Sequence, residues 1–381
     1  MDAFRRRRFT VCVAGALAGC GISWRRYVRS STVIPCLAVF IAVLTIVNPN
    51  VRAQSPLVTI DTVPVGNPGN AASPANRGAV AYGFAIGKYE VTIGQYTTFL
   101  NSVASVTSDS YIINLWNASM ASDLSIAGIS RSGSGTLASP YSYSAIGSSS
   151  RPIAYVSWFD AARFANWVNN GATNGASTET GAYTLNSATS GVITKNAGAA
   201  WWIPSDNEWY KAAYYDVDRF GANAAGYWTY PTKSALASPP GNTVGGATNQ
   251  ANYKAQQPNG TSIYTTTRSE TYSSTANYLT DVGAFSNSAS AYGTFDQGGS
   301  LDEWNDRVRT FDGYRGVHGG SWAGTAYDMD NGSGPMALSP TTETKTLGFR
   351  VATVPEPSTC ASLLAGLAFG GYTMLRRCKQ A

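Results

Sequence analysis

Between residues 54 and 353 the chain has no cysteine; all five, Cys12, Cys20, Cys36, Cys360 and Cys378, lie outside that stretch. A disulfide framework is therefore excluded from the central region, and its own core must hold it together. Histidine is as scarce: His318 is the only one in the sequence, so a facial triad of two histidines and a carboxylate is out of reach. No Gly-x-Ser-x-Gly elbow is present to raise a serine nucleophile. Charged residues make up 13% against 12% aromatics, a globular rather than a disordered balance. The net charge of +5 is misleading. Eight arginines stand against Asp2 in residues 1–53, and Arg376, Arg377 and Lys379 against Glu356 in 354–381. Setting these aside leaves 54–353 mildly acidic and without a Lys/Arg cluster, which excludes a nucleic-acid footprint. No apolar run reaches the roughly 20 residues a membrane span needs.

The ends have the look of processing signals. Arg5 to Arg8, apolar runs Val11–Ile22 and Val33–Val47, and the small-x-small pattern Val51-Arg52-Ala53 predict a signal peptide over 1–53, cleaved near Ala53. Two short membrane helices are the alternative, and a start at Val28 would leave a leader of ordinary length. At the other end, Pro355-Glu356-Pro357 precedes an apolar run Ala361–Leu375 and a basic stop at Arg376 and Arg377. That helix reaches about 22 Å at 1.5 Å per residue, short of a ~30 Å hydrocarbon core, which suits transient anchoring. The 354–381 tail resembles the PEP-CTERM sorting signal. The resemblance implies an exosortase-type protease as partner and export to the bacterial envelope, cell surface or medium.

Three helices announce themselves by their first turns. Thr92…Gln95, Ser157…Asp160 and Ser205…Glu208 each set a hydroxyl three residues before an acid or amide, the capping box that satisfies two orphan N–H groups. Apolar stripes follow at helical spacing, such as Tyr96, Phe99 and Leu100 behind the first. Stretches 104–150, 171–200 and 232–275 are rich in Ser, Gly, Thr, Asn and Ala and predict long loops. Thr59–Val65, Tyr82–Tyr89 and Phe349–Val351 predict strand pieces. Few helices on a short-stranded, loop-rich scaffold mean an α+β domain over 54–353.

The order of the remaining motifs carries a family resemblance. Ile86-Gly-Lys-Tyr-Glu-Val-Thr92, Pro152-Ile-Ala-Tyr-Val-Ser-Trp158, Ile203-Pro-Ser-Asp-Asn-Glu-Trp209, Tyr292-Gly-Thr-Phe-Asp-Gln-Gly-Gly-Ser-Leu-Asp-Glu-Trp304, Gly319-Gly-Ser-Trp322 and Gly348-Phe-Arg350 follow one another in sequence. Together they resemble the formylglycine-generating (sulfatase-modifying factor) family, which implies a variant of the C-type lectin fold.

That family oxidises its substrate with two copper-binding cysteines after the Gly-Gly-Ser segment, and the matching positions here are Gly324 and Met329. No thiolate stands there, so formylglycine-generating activity, copper and iron are not expected and no catalytic residue is assigned. The Asp302/Glu303 pair has no fixed spacing to support glycoside chemistry. The resemblance does imply a structural calcium held by the side chains of Asp296 and Glu303 and the carbonyls of Gly299 and Leu301. These are hard oxygen ligands on a glycine-rich turn. A second site would start at Asn252 and Tyr253, with Glu270 as partner acid. His318, Gly319, Gly320, Ser321, Trp322 and Arg350 are expected to line a cleft, with His318 on a loop. Trp116, Trp228 and Tyr230 suit sugar faces if exposed. The expected function is an exported, calcium-stabilised module binding an extracellular polysaccharide or envelope protein; the competing one is a metal-dependent oxidoreductase with an altered site.

Overall fold

The computed structural model describes residues 55–106, 114–334 and 336–355. The expected signal peptide over 1–53, and Glu356, Pro357, Arg376 and Arg377 of the expected sorting tail, lie outside the described residues. Pro355 is the last described position, and it is exposed.

In chain order the elements are β1 (Thr62–Val65), β2 (Phe84–Gly87), α1 (Ile93–Val103), α2 (Ser119–Ser122), β3 (Ile129–Ser132), β4 (Ser142–Ala145), α3 (Trp158–Asn169), β5 (Trp201–Trp202), α4 (Asp206–Tyr214), β6 (Tyr215–Asp216) and β7 (Gly226–Tyr227). There follow β8 (Lys254–Gln256), β9 (Ser262–Tyr264), β10 (Asp302–Val308), β11 (Arg315–His318), β12 (Met336–Leu338), β13 (Leu347–Phe349) and β14 (Ala352–Thr353). Short strands, few helices and long connections make this a loop-rich α+β fold.

All three capping boxes close as the sequence predicts. The Gln95 N–H donates to Thr92 Oγ1 and the Thr92 N–H to Gln95 Oε1. Ser157 and Asp160 reciprocate likewise, as do Ser205 and Glu208. Each cap fixes where its helix starts and therefore which face turns inward. In α1 that face is Ile93, Tyr96, Phe99 and Leu100. In α3 every residue but the last is buried, so this helix runs through the interior. Phe164 of α3 is its hub, with its ring centroid 5.4 Å from those of both Phe99 and Phe349. Burying one such phenylalanine contributes about 1.5–3 kcal/mol.

Two four-stranded sheets frame this core. One runs β1-β2-β14-β5 and is antiparallel throughout. The other runs β12-β11-β10-β13, with β10 and β13 parallel. The piece expected as one strand at Phe349–Val351 is two. Phe349 ends β13 in one sheet, Ala352 opens β14 in the other, and Arg350 and Val351 carry the chain across. The strand expected over Thr59–Val65 starts three residues later, and the one over Tyr82–Tyr89 shrinks to Phe84–Gly87, because pairing extends only where both backbones are in register. The long loops also hold two hairpins, β3–β4 and β8–β9.

Candidate functional site

Arg350 is placed at the crossing between the sheets, and a buried charge centre forms around it. Its side chain is fully buried. Nε donates to Glu303 Oε2 and Nη2 to Glu303 Oε1, both at 2.6 Å, a bidentate pair with Glu303 on β10. The remaining donors go to the carbonyls of Gly87, Lys88 and Phe295. Trp209 Nε1 of α4 also donates to Glu303 Oε2 at 2.8 Å. Glu303 thus serves a cation and an indole at once.

Two further acids share the centre. Asp296 sits in left-handed backbone geometry at φ +60°, and its Oδ2 accepts from the Gly283 N–H at 2.6 Å. Burial pushes its carboxyl up to about 6; the Gly283 N–H and Arg350 pull the other way, and Glu303 adds to the rise. Glu90, from the segment before α1, is 2% exposed. Its Oε1 accepts from the Leu301 N–H, whereas its Oε2 is buried with no partner among the described residues. Burial drives Glu90 well above the usual carboxylate range, helped by the charges of Glu303 and Asp296 and opposed by Arg350 and the Leu301 N–H. Three carboxylates thus face one guanidinium.

No role for Glu90 follows from its Ile86–Thr92 motif alone. Its signal in the sequence is an acid flanked by Tyr89 and Val91 on the way into an apolar helix, an unusual place for an unpaired charge. Among the described residues no group of three or more histidine, cysteine, aspartate or glutamate side chains is gathered as a metal cage.

The two segments expected to hold calcium lie side by side. Asn252 and Gly299 form a parallel bridge, and the Ser300 N–H donates to Asn252 O at 2.7 Å. Gly299, at φ +82°, is required here, since a Cβ would stand 2.4 Å from Asn252 O. Asn252 is spent on structure, with Nδ2 donating to Tyr278 O. The Tyr253 carbonyl accepts from Thr265 Oγ1, and its hydroxyl donates to Pro240 O. Glu270 is exposed.

The six residues expected to line a cleft, His318, Gly319, Gly320, Ser321, Trp322 and Arg350, are all buried. His318 is not a loop residue but the last residue of β11. Its Nε2 lies 2.6 Å from Asp206 Oδ1 at the start of α4, and the Trp209 ring stacks on it at 5.1 Å. Burial works to raise the Asp206 carboxyl, but the His318 hydrogen bond and the nearby charges of Arg77 and Arg307 hold it below the usual range. Trp322 stacks on Tyr278 at 4.5 Å and donates from Nε1 to Lys345 O.

Gly324 and Met329 have also become packing positions. Gly324 turns the chain, its N–H donating to Ser321 O while its own carbonyl accepts from Lys254 N–H. Met329 is fully buried in a cluster with Tyr230, Ala251, Tyr253 and Ala255. Of the aromatics expected as sugar faces, Tyr230 belongs to that cluster. Trp116 and Trp228 are covered by Arg131 at 4.1 Å and Arg219 at 3.7 Å.

No curated protein matches the chain. Among solved structures it is similar to CarF, 16% identical, covering 79% of this chain and all of that one, with a TM-score of 0.44. It is also similar to Treponema denticola variable protein 1, at 16% identity, 78% and 96% coverage and a TM-score of 0.42. A third is PvdO from Pseudomonas aeruginosa, at 15% identity, 78% and 93% coverage and a TM-score of 0.37. The sulfatase-modifying factor enzyme 1-like domain matches residues 53–354, which span both sheets, α1 to α4 and the Arg350 centre, and the chain belongs to that family.

Proposed function

We propose that this protein is an exported, non-catalytic member of its family, a calcium-stabilised module of the bacterial envelope that binds a surface glycan. Its scaffold is a variant of the C-type lectin fold. The observation that carries the reading is Met329. At one of the two positions where the resemblance puts a catalytic cysteine, a thioether is sealed among Tyr230, Ala251, Tyr253 and Ala255, and at the other Gly324 has no side chain. Neither position offers the thiolate that formylglycine formation needs.

One observation supports calcium at the charge centre. Glu90 Oε2 is an orphaned hard oxygen of the kind calcium takes. Asp296 and Glu303, with the carbonyls of Gly299 and Leu301, would complete the set. Because Glu303 already serves Arg350, Asp296 and Glu90 would be the carboxyls left to face the ion. Export rests on the leader-like 1–53 and the sorting-like tail. In this proposal the leader is removed near Ala53 and an exosortase-type protease acts at Pro355-Glu356-Pro357 after transient anchoring.

Elemental analysis of the purified protein, paired with melting curves with and without chelator, tests the reading. Stoichiometric calcium, with a melting point that falls on chelation, is expected. Stoichiometric copper or iron would return the chain to the oxidoreductases.

A further inference from the structure

We infer that the glycan is held by its acidic groups, in a cleft at the start of α4 where two arginines keep hydrogen-bond donors unused. This rests on the binding function proposed above. It gives that function a place and a ligand class, an acidic polysaccharide whose uronate carboxylates dock on Arg77 and Arg307.

The cleft encloses about 540 Å³. Asn76 and Arg77 line it from one segment, Asp206 and Asn207 from the first turn of α4, and Asp306 and Arg307 from β10. Ala75 is the one apolar side chain among its described lining residues, so a hydrocarbon group would find little to bury against.

Hydrogen-bond accounting singles out the two arginines. Arg77 is 9% exposed, and its Nη2 donates to Asn331 O at 3.3 Å and to Ser333 O at 3.0 Å. The Tyr210 ring lies against its guanidinium at 4.8 Å. These contacts fix the side chain and leave Nε and Nη1 without a partner among the described residues. Arg307 Nη1 is buried and likewise without a described partner. Both guanidiniums stand near enough to Asp206 for their charges to act on its carboxyl, so they converge on one place. A buried donor left without an acceptor is costly, and an acceptor arriving with the ligand removes that cost.

Charge sets the sign of the ligand. Neither arginine forms a salt bridge among the described residues, whereas Asp306 Oδ1 accepts from Arg315 Nη1 at 2.7 Å. Arg315 therefore offsets Asp306. Asp206, whose Oδ1 lies 2.6 Å from His318 Nε2, is the one carboxylate left against two guanidiniums. Even with His318 uncharged, the cleft keeps one positive charge in surplus, in a stretch 54–353 that is acidic as a whole. A planar guanidinium matches a carboxylate with two parallel hydrogen bonds. The amides of Asn76 and Asn207 beside it can both donate and accept, as sugar hydroxyls require. A uronic acid carries both kinds of group on one ring.

The test is binding of the full chain to hexagalacturonate. Its fully methyl-esterified form is the neutral counterpart, and polyglutamate is a carboxylate polymer without sugar. Hexagalacturonate is expected to bind, and both comparison probes about tenfold more weakly or not at all. Arg307→Ala should weaken hexagalacturonate binding about tenfold. Asn207→Asp keeps the acceptor that bonds the Gly78 N–H at 2.9 Å and adds a negative charge to the cleft. It should weaken binding as much without loosening the fold. Arg309→Ala removes a positive charge outside the cleft, from a pair with Asp312, and should leave binding unchanged. Glycan binding that ignores both cleft variants overturns the cleft and leaves the binding function standing. Equal or tighter binding of the ester or of polyglutamate overturns the ligand class. Failure of the native protein to bind any glycan overturns this proposal together with the glycan part of the function, whereas the metal and melting measurements stand apart from it.

Discussion

The Arg350 centre and the rings beside the β6–β7 hairpin use polar and aromatic side chains in opposite ways. At the centre, Arg350 and Glu303 are fully buried and bonded to each other, so their chemistry is turned inward and spent on holding two sheets together. Beside the β6–β7 hairpin, Phe220 is mostly exposed, with only Arg219 over its ring, while Tyr227 packs on Tyr215 and donates from its hydroxyl to Ala71 O. Pairing in the interior ties Arg350 and Glu303 to the fold, whereas an exposed ring contributes little to it.

The largest effect should come from breaking the centre. Arg350→Ala leaves Glu303 charged, buried and unpaired, which costs about 3–5 kcal/mol. Urea unfolding should show this as a lower midpoint, and an unchanged midpoint would demote the pair to an incidental contact.

Next is pH. Burial pushes Asp302 up to about 7, and the charge of Asp328 adds to the rise, against donors from Gly320 and Ser321. The unfolded carboxyl titrates near 3.9, so between about pH 4 and 7 the folded state holds the extra proton. Stability therefore falls as pH rises through that window and levels off above it. Asp302→Asn should flatten the slope, as read from melting points between pH 4 and 8.

Calcium should act on a smaller scale. Ligand at a hundredfold excess over its Kd adds about 2.7 kcal/mol, which chelation removes. Glu90→Gln should halve the response or better if its orphaned oxygen takes part. A chelation response identical to that of the native chain would move the ion elsewhere.

The smallest effects separate a helix cap from an exposed ring. Ser205→Ala removes the cap of α4 and should cost about 1 kcal/mol. Phe220→Ala, at an exposed ring, should change stability by no more than about 0.5 kcal/mol. A stability loss as large as that of Ser205→Ala would make Phe220 a packing residue and close the contrast between the two regions.

Much of the framework was legible because its signals are local. A capping box needs a hydroxyl and an acid or amide three residues apart, so Thr92, Ser157 and Ser205 announced α1, α3 and α4 without tertiary information. The loop-rich α+β class followed from composition and the family resemblance from motif order. The site was less legible. The motifs holding Glu303 and Arg350 stand out in the sequence, whereas the burial of His318, Ser321 and Trp322 does not. Tyr230, expected as a surface ring, is core. A single residue's surroundings come from distant segments, and periodicity is silent about them.

The sequence by itself determined that the central stretch has no thiol for disulfide or copper chemistry and that three helices begin where their caps stand. Only the tertiary structure decided what Arg350, Glu303, Glu90 and Asp296 do. Arg350 lies 47 residues from Glu303, and the two meet because β13 lies parallel to β10 just before the chain crosses into the other sheet. Local rules fix helix starts, since their partners are covalent neighbours. A buried charge finds its partner only after strands far apart in sequence have paired, and that pairing is a property of the folded whole.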